Sequence, residues 1–517
     1  MTQQPAAIRE NEERGWRDAI VITAVAALIR VFFAARLPLF PDETYYWEWS
    51  RRLAGGYFDH PPLIALLIRA GDLVGDGALG VRFFPIIAGA LASLAAAAIA
   101  RRIGGDPAAR TTAIVFALMP LAASGLVLAT PDAPLLAASA AGLYAVTRAL
   151  QSPLRSAESL RWWSVAGIAL GLAFASKYTS ILLPLSIVVA VIARPSLRAR
   201  LREPGPYVAC VLATLVFLPV LYWNATHDWI SFRFQIQHGL GTPKGSPLKR
   251  ELDLIGGQLG LVSPIVFALL AGAVWRTLRR PVDDARFALA VVALVSWVFF
   301  AYSALRRPVE ANWPAPSYIP AVALLATLAA DPAWRRWLRR GVGLAALMVA
   351  VIYLHALHPM LPLPARRDPT ARNAGWEMVA RTVDSTRASL SPVSKTPTIW
   401  VGADRYQDVS ELAYHLRSAS GVSAARPAAL CVCLSGRRNQ YDLWPGFPSL
   451  ARTDDALVLV LDESAELHPT AARLAPYFTS VVRGAPAPLL RGADTVSVRR
   501  VWTLTGYRGG WPSRAEP

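Results

Sequence analysis

The stretch "DAIVITAVAALIRVFFAAR" (residues 18–36) is apolar over a length that crosses a bilayer as a helix. It is followed almost at once by "PDETYYWEWSRRLAGGYFDHPP" (residues 41–62), with two adjacent carboxylates, a cluster of aromatic rings and a His-Pro-Pro. An ordinary loop between membrane helices needs no such density of charge and ring. The first stretch decides the fold. The second poses the functional question: a membrane-surface anchor or an active site.

The apolar pattern recurs along all 517 residues, which are 54% hydrophobic and 17% charged, with a mean hydropathy of +0.35. A soluble protein of this length carries about a quarter charged residues. Repeated apolar runs of roughly 15–20 residues, separated by short Arg-rich or Pro-rich loops, define a polytopic α-helical membrane protein. Outer-membrane barrels are excluded, because their strands alternate rather than run continuously apolar. The formal charge of +18 fits arginine gathered in cytoplasmic loops. Nucleic acid is not an expected partner, since no basic helix or single-strand-binding module is present. Cys210 lies in an apolar run and reads as a small core residue. Cys431 and Cys433 are two apart in an expected strand, point to one face, and would be awkward to bridge.

The runs fall near 18–36, 81–100, 110–128, 133–150, 162–176, 179–193, 206–223, 255–275, 286–304, 315–330 and 340–358, which makes about 11 expected spans. The mixed-charge lead (Arg9, Glu10, Glu12, Glu13, Arg14, Arg17) has no small-residue cleavage site after it, so the first run reads as an uncleaved membrane helix. With the N-terminus inside, "RRIGGDPAAR", "RALQSPLRSAESLR", "ARPSLRARLREPG", "WRTLRRPVDDAR" and "DPAWRRWLRR" are cytoplasmic, short and Arg-rich. An odd number of spans then leaves the C-terminal part outside. The external segments are 37–80, "ATPDAP" at 129–134, "SKYT" at 176–179, 224–254 and "RRPVEANWPAP" at 306–316, and the unusual polar residues all sit in these. Residues 1–360 thus form a membrane domain with interfacial helices in its first external loop (37–80). Residues 361–517 form a small external α/β domain, whose short strands are "TPTIWVGADRY", "AALCVCLSG" and "DALVLVLDES", with amphipathic helices at 372–388 and 408–418.

Asp42 and Glu43 suit the start of a short helix as caps. Flanked by Tyr45, Tyr46, Trp47 and Trp49 at membrane depth, they also suit a general base of raised pKa. Asp132 in "LATPDAP" is a cap or a second acidic site that divides labour with the first. Lys177 in "FASKYTS" and the external Arg306 and Arg307 call for an anionic partner, either lipid headgroups or a bound phosphate. Glu310 and Asn312, beside Trp313, are placed to line a site. His60, next to Asp59, either shapes the turn before Pro61 and Pro62 or hydrogen-bonds a phosphate or Asp59. The histidines have no metal-ligand spacing, and no GxSxG, Walker A, HExxH or GxGxxG context occurs. Neither a metal nor another cofactor is expected.

Taken together, "PDETYYWEWSRRLAGGYFDHPPL", "LATPDAPLL", "GLAFASKYTSILL", "YWNATHDWISFRFQ", "GGQLGLVSPI" and "RRPVEANWPAPSY" closely resemble bacterial family 39-type glycosyltransferases. These share a superfamily with the protein O-mannosyltransferases and the aminoarabinose transferases of lipid A. The resemblance spans nearly the whole membrane half and continues through "ADRYQDVSELAYHL" and "GRRNQYDLWPG". It implies a GT-C fold in the bacterial inner membrane, with the C-terminal domain in the periplasm. The implied reaction moves a sugar from a polyprenyl-phosphate carrier, with inversion, to an envelope acceptor: lipid A, another glycan, a lipid or a protein. By motif, Asp42 is similar to the family's catalytic carboxylate with Glu43 beside it, Asp132 to its second acidic site, and Lys177 to its carrier-phosphate lysine. His60 departs from the Lys that tends to precede the two prolines in the aminoarabinose transferases. Arg306 or Arg307 would join Lys177 in neutralising the leaving phosphate, while Tyr45, Tyr46, Asp59, Glu310 and Asn312 would line the pocket. The alternative is a lipid or solute transporter or flippase, for which related halves and polar groups at the bilayer midplane are the expected signs. A membrane-anchored scaffold is a weaker rival.

Overall fold

The computed structural model describes residues 6–243, 245–390, 398–418, 427–463 and 468–514; the side chains of Arg9, Glu10, Glu12 and Glu13 lie outside the described set. The chain divides into two compact units, Met1–Arg36 with Ala54–Leu357, and Leu37–Leu53 with His358–Pro517. In chain order the helices begin α1 (Ala6–Arg36), α2 (Pro41–Arg51), α3 (Leu63–Gly71), α4 (Ala78–Leu118), α5 (Pro120–Gly125), α6 (Asp132–Gln151) and α7 (Ala157–Phe174). They continue α8 (Leu182–Ala193), α9 (Pro195–Arg198), α10 (Gly205–Thr226), α11 (Ile230–Leu240), α12 (Pro247–Val262), α13 (Pro264–Arg279), α14 (Asp284–Arg306), α15 (Ala315–Leu328) and α16 (Pro332–Leu357).

The first unit is helical throughout its described residues. Among the described residues, six helices are long and apolar enough to cross a membrane: Arg14–Arg36 of α1, α4, α6, α10, α14 and α16. Two bent pairs, Tyr178–Ala193 with Pro195–Arg202 and α12 with α13, bring this to eight if each is one span. The eleven apolar runs therefore do not map to one long helix each, and the causes are local. The runs 81–100 and 110–128 share α4, which departs from helical geometry at Gly105 (φ 77°, ψ −178°), a conformation open to glycine and strained for other residues. The run 255–275 is turned through 102° at Ser263, which takes a φ of 77° between α12 and α13. Helix α15 has 14 residues, about 21 Å at 1.5 Å per residue, short of a roughly 30 Å hydrocarbon core.

Small residues hold these helices together. On α7, Gly167 and Gly171 face α10 so closely that a Cβ on Gly167 would lie 2.4 Å from the Ala209 carbonyl oxygen, and one on Gly171 2.8 Å from that of Ala213. Membrane helices gain contact area by this backbone approach, since lipid provides no hydrophobic drive between them. Cys210 is exposed on α10, not in the core as expected, because the buried positions of this helix are its neighbours Ala209 and Ala213.

The second unit is built on a five-stranded sheet of order β2-β1-β3-β5-β4, with β1 Ile399–Ala403, β2 Leu430–Cys431, β3 Ala456–Asp462, β4 Phe478–Arg491 and β5 Asp494–Tyr507. The three anticipated strands are the parallel part, β1 to β3. The antiparallel β4–β5 hairpin was not anticipated. Trp400, Leu457, Leu459, Phe478, Trp502 and Leu504 form the core. Helices α17 (Trp376–Leu390) and α18 (Tyr406–His415) overlap the two amphipathic segments expected at 372–388 and 408–418. Cys431 and Cys433 are bonded to each other, contrary to expectation, with Cα atoms 5.1 Å apart. The strand ends at Cys431 and Cys433 adopts a φ of 50°, so the same-face spacing of a strand does not apply between them.

Helix α2 belongs to this unit rather than to the helical one, a different partition from that expected for the whole loop 37–80. Its aromatic residues are buried in protein: Tyr45 is 2% exposed and Trp49 0%. Rings that anchor at a membrane interface keep one end wet, and these do not. The Tyr45 ring centre lies 4.8 Å from that of Tyr406, and Trp47 meets Tyr414 edge-on at 5.3 Å. Thr44 Oγ1 donates to Ser410 Oγ at 3.0 Å, and the Tyr45 hydroxyl accepts from the Gln440 amide at 2.6 Å. Tyr441 donates its hydroxyl proton to the Glu48 carboxylate.

Burial pushes the Glu48 carboxyl up to about 7, opposed by the Tyr441 hydrogen bond and the charge of Arg52. The folded state therefore keeps a proton on Glu48 between about pH 4.5 and 7 that the unfolded chain has released. Stability from this group is full below the unfolded pKa and is lost as pH rises through the folded one. Glu48→Gln, whose amide oxygen still accepts from Tyr441, should flatten that loss. The expected result is a Tm gain at pH 8, relative to wild type, that vanishes at pH 4.5. An equal change at both pH values would refute it.

Candidate active site

Asp132 is the first residue of α6, directly after Pro131. Its side chain does not cap its own helix. Oδ1 accepts from Lys177 Nζ at 2.8 Å and Oδ2 accepts from Asn312 Nδ2 at 2.7 Å. The two charged side chains are only 9% and 15% exposed, so this is a largely desolvated ion pair with a third, neutral donor. Three segments far apart in sequence, "TPDAP", "SKYT" and "VEANWP", are thereby tied at one carboxylate.

Each partner is held from behind. Lys177 precedes a one-turn 3-10 helix, Tyr178–Ile181, and the Tyr178 hydroxyl lies 3.0 Å from Ser231 Oγ and accepts from Asn224 Nδ2 at 3.3 Å. The loop carrying Asn312 is gripped by Gln258 of α12. Gln258 Nε2 donates to the Ala311 carbonyl at 3.0 Å, and its Oε1 accepts from the Tyr318 hydroxyl at 2.5 Å. Gln258 and Tyr318 are both buried. Neither was singled out from sequence, although both lie in the quoted motifs "GGQLGLVSPI" and "RRPVEANWPAPSY".

The His-Pro-Pro segment joins the same neighbourhood through its backbone, where the Leu63 amide donates to the Ala175 carbonyl at 3.0 Å. Asp59 is buried, and its carbonyl accepts from Gln235 Nε2 at 2.5 Å. The His60 carbonyl closes a turn with the Tyr57 amide at 3.1 Å. Arg306 Nε donates to the Leu240 carbonyl at 3.1 Å, at the C-terminal end of α11. Arg307 lies against Gly241 just beyond it. Cations at a helix C-terminus are favoured by its unsatisfied carbonyls. Glu310 is exposed, and its carbonyl turns the chain toward Trp313.

In the second unit, Asp42 is exposed on the first turn of α2. The Tyr406 hydroxyl donates to its Oδ1 at 3.5 Å. Glu43, fully buried, turns back so that Oε2 accepts from the Phe40 amide at 2.9 Å. The two adjacent carboxylates thus differ: one caps the helix and the other faces outward. Tyr46 is buried beside Trp49. No group of three or more His, Cys, Asp or Glu side chains able to hold a metal ion occurs among the described residues.

These features define a polytopic membrane protein with a charged constellation built on its connecting loops. Residues 59–223 match the family described as dolichyl-phosphate-mannose-protein mannosyltransferase. The chain is 30% identical over 402 residues to the lipid A galacturonosyltransferase RgtD of Rhizobium johnstonii, covering 76% of this chain and 80% of that one. It superimposes on ArnT from Cupriavidus metallidurans bound to undecaprenyl phosphate with a TM-score of 0.64 at 19% identity, over 96% of this chain and 99% of that one. For the apo state of the same protein the values are 0.62 and 18%, over 93% and 97%. The fold is therefore GT-C. The chain belongs to the family 39-type glycosyltransferases. It is a membrane glycosyltransferase, and the transporter alternative finds no support.

Removing the carboxylate should show how much rests on it. Asp132→Asn leaves the Lys177 ammonium buried without its counter-charge, a loss on the order of 3–5 kcal/mol for a buried pair. Gln258→Leu strands the Tyr318 hydroxyl and the Ala311 carbonyl, at roughly 1–3 kcal/mol. Thermal unfolding of detergent-purified protein should rank Asp132→Asn below Gln258→Leu, and both below wild type. An Asp132→Asn protein as stable as wild type would contradict the ion pair's place in the fold.

Proposed function

We propose that this enzyme transfers a sugar, with inversion, from a polyprenyl-phosphate carrier to lipid A on the external face of the bacterial inner membrane. The observation that carries the proposal is the Asp132–Lys177–Asn312 constellation in a chain whose 30% identical relative is a lipid A galacturonosyltransferase. The reaction needs a cation for the phosphate that leaves and a base for the oxygen that attacks. Lys177 is the phosphate ligand in this reading. Asp132 and Asn312 position it, the first by charge and the second by fixing the carboxylate. A largely desolvated site strengthens each of these interactions.

Asp42 is the base. It takes the proton of the acceptor hydroxyl as that oxygen bonds to the anomeric carbon, and the bond from that carbon to the carrier phosphate breaks. The electron pair leaves on the phosphate oxygen, so the products are the glycosylated acceptor and the polyprenyl phosphate. Glu43 supports the helix that carries Asp42. Arg306, Arg307 and His60 are further candidates for the carrier phosphate, and Tyr45, Tyr46, Asp59 and Glu310 are candidates for lining the substrate pocket. The Cys431–Cys433 disulfide supports a periplasmic second unit, since structural disulfides persist in oxidising compartments. An N-terminus in the cytoplasm follows from the arginine distribution.

The test is transfer by purified protein in nanodiscs, with lipid A as acceptor and polyprenyl-phosphate galacturonic acid or aminoarabinose as donor. Wild type should label lipid A from one of the two. Asp42→Asn should lose about 100-fold or more of the rate yet still bind undecaprenyl phosphate, whereas Lys177→Met should lose that binding. Near-normal transfer by a folded Asp42→Asn protein would remove Asp42 as the base. Absence of lipid A labelling with both donors would remove the proposed acceptor.

A further inference from the structure

The second unit presents a rigidly held arginine beside Asp42, and the way it is held is specific. Tyr406 touches both: its hydroxyl reaches Asp42 Oδ1 at 3.5 Å, and the Arg437 guanidinium lies over its ring at 4.9 Å. Arg437 and Arg438 are exposed at the tip of the turn after β2. An exposed arginine pair would ordinarily sit on a loose loop. This one does not.

The turn is pinned on both sides. Upstream, the Cys431–Cys433 disulfide closes its base. The Asp404 carboxylate accepts from the Leu434 amide at 2.7 Å, the Ser435 amide at 3.2 Å and the Ser435 hydroxyl at 2.7 Å. Downstream, the buried Asn439 amide donates to Asp442 Oδ2 at 2.7 Å. Across the tip, Arg514 Nη2 donates to the carbonyls of Ser435, Gly436 and Arg437 at 3.2, 3.1 and 2.8 Å, and its Nη1 pairs with Asp442. Gly436 takes the left-handed φ of 73° that the turn requires. Arg514 thus serves as the clamp, while Arg437 Nη1 donates to the Arg438 carbonyl at 3.0 Å and both tip residues stay exposed.

From this geometry we infer that Arg437 and Arg438 form a binding subsite for a phosphate monoester of the lipid acceptor. The inference rests on the reading of Asp42 as the base. A guanidinium offers a planar fork that matches phosphate oxygens two at a time. Holding the backbone beforehand lowers the ordering cost of binding. The stack on Tyr406 fixes how far that fork stands from Asp42, so a phosphate caught there sets the acceptor's hydroxyl relative to the carboxylate. The second unit, on this account, selects the acceptor. The cation assigned to the carrier phosphate, Lys177, belongs to the first.

The experiment compares wild type with Arg437→Gln/Arg438→Gln, full-length in nanodiscs, on bisphosphorylated and dephosphorylated lipid A. The double variant should raise KM for the phosphorylated acceptor roughly tenfold or more, the loss of about 1.4 kcal/mol of binding. It should leave KM for the dephosphorylated acceptor and the binding of undecaprenyl phosphate unchanged. Arg437→Lys should recover only part of the loss, because an ammonium lacks the fork. An equal KM change for both acceptors overturns the inference. So does a change that follows the nanodisc content of phosphatidylglycerol instead of acceptor phosphorylation, which would make this a membrane-surface patch. A wild type that transfers to neither acceptor overturns the lipid A reading itself, and is distinguished by needing no variant at all.

Discussion

The interaction on which the rest depends is the burial of α2 in the second unit. Only the segment 37–40 separates α1 from α2, yet α2 packs with α18 and the turn around Tyr441, hundreds of residues on in sequence. Tyr45 and Trp49 supply the apolar area. Thr44–Ser410, Tyr45–Gln440 and Glu48–Tyr441 satisfy the polar atoms taken in with them. A buried acid such as Glu48 is tolerable only while protonated or hydrogen-bonded, which makes this contact specific in register. Asp42 takes its surroundings from that docking: Tyr406 is next to it because α18 is.

In the helical unit the corresponding element is the Asp132–Lys177 pair. Each charge alone would be costly where it sits, and together with Asn312 they leave few polar atoms unmet. The pair also makes three loops interdependent. The chain from Tyr318 through Gln258 to the Ala311 carbonyl holds the loop of Asn312, which holds the carboxylate, which holds the lysine. On the proposed reading of Lys177 as a phosphate ligand, this fixes the cation before the substrate arrives, and charges that reorganise during a reaction give back part of their stabilisation.

Much of this was legible in the residues. Asp132, Lys177 and Asn312 stood out because a charged or amide side chain between apolar runs has few places to go. The three parallel strands were visible as short buried runs bounded by turn residues. The long β4–β5 hairpin was not: its sides alternate and include Arg483, Pro486 and Pro488, which read as surface. The disulfide is not legible because the residue pattern looks like a strand that runs past Cys431, whereas β2 ends there and the left-handed Cys433 reverses that geometry. Arg306 and Arg307 looked like unpartnered external cations, and the carbonyls at the end of α11 that explain their place lie more than sixty residues away.

By itself, the sequence determined that the chain is a polytopic helical membrane protein, that its unusual polar residues fall in loops between the apolar runs, and which carboxylates and cations are candidates for chemistry. Those conclusions rest on local properties, hydropathy over a span and charge beside it, which need no knowledge of what packs where. Only the tertiary structure decided that Glu43 caps a helix while Asp42 faces outward, that Asp132 holds Lys177 and Asn312 with one oxygen each, and that "PDETYYWEWS" folds with the C-terminal domain. A side chain's partner is fixed by the path of the backbone through space, and residues 45 and 441 carry no mark in sequence of being neighbours.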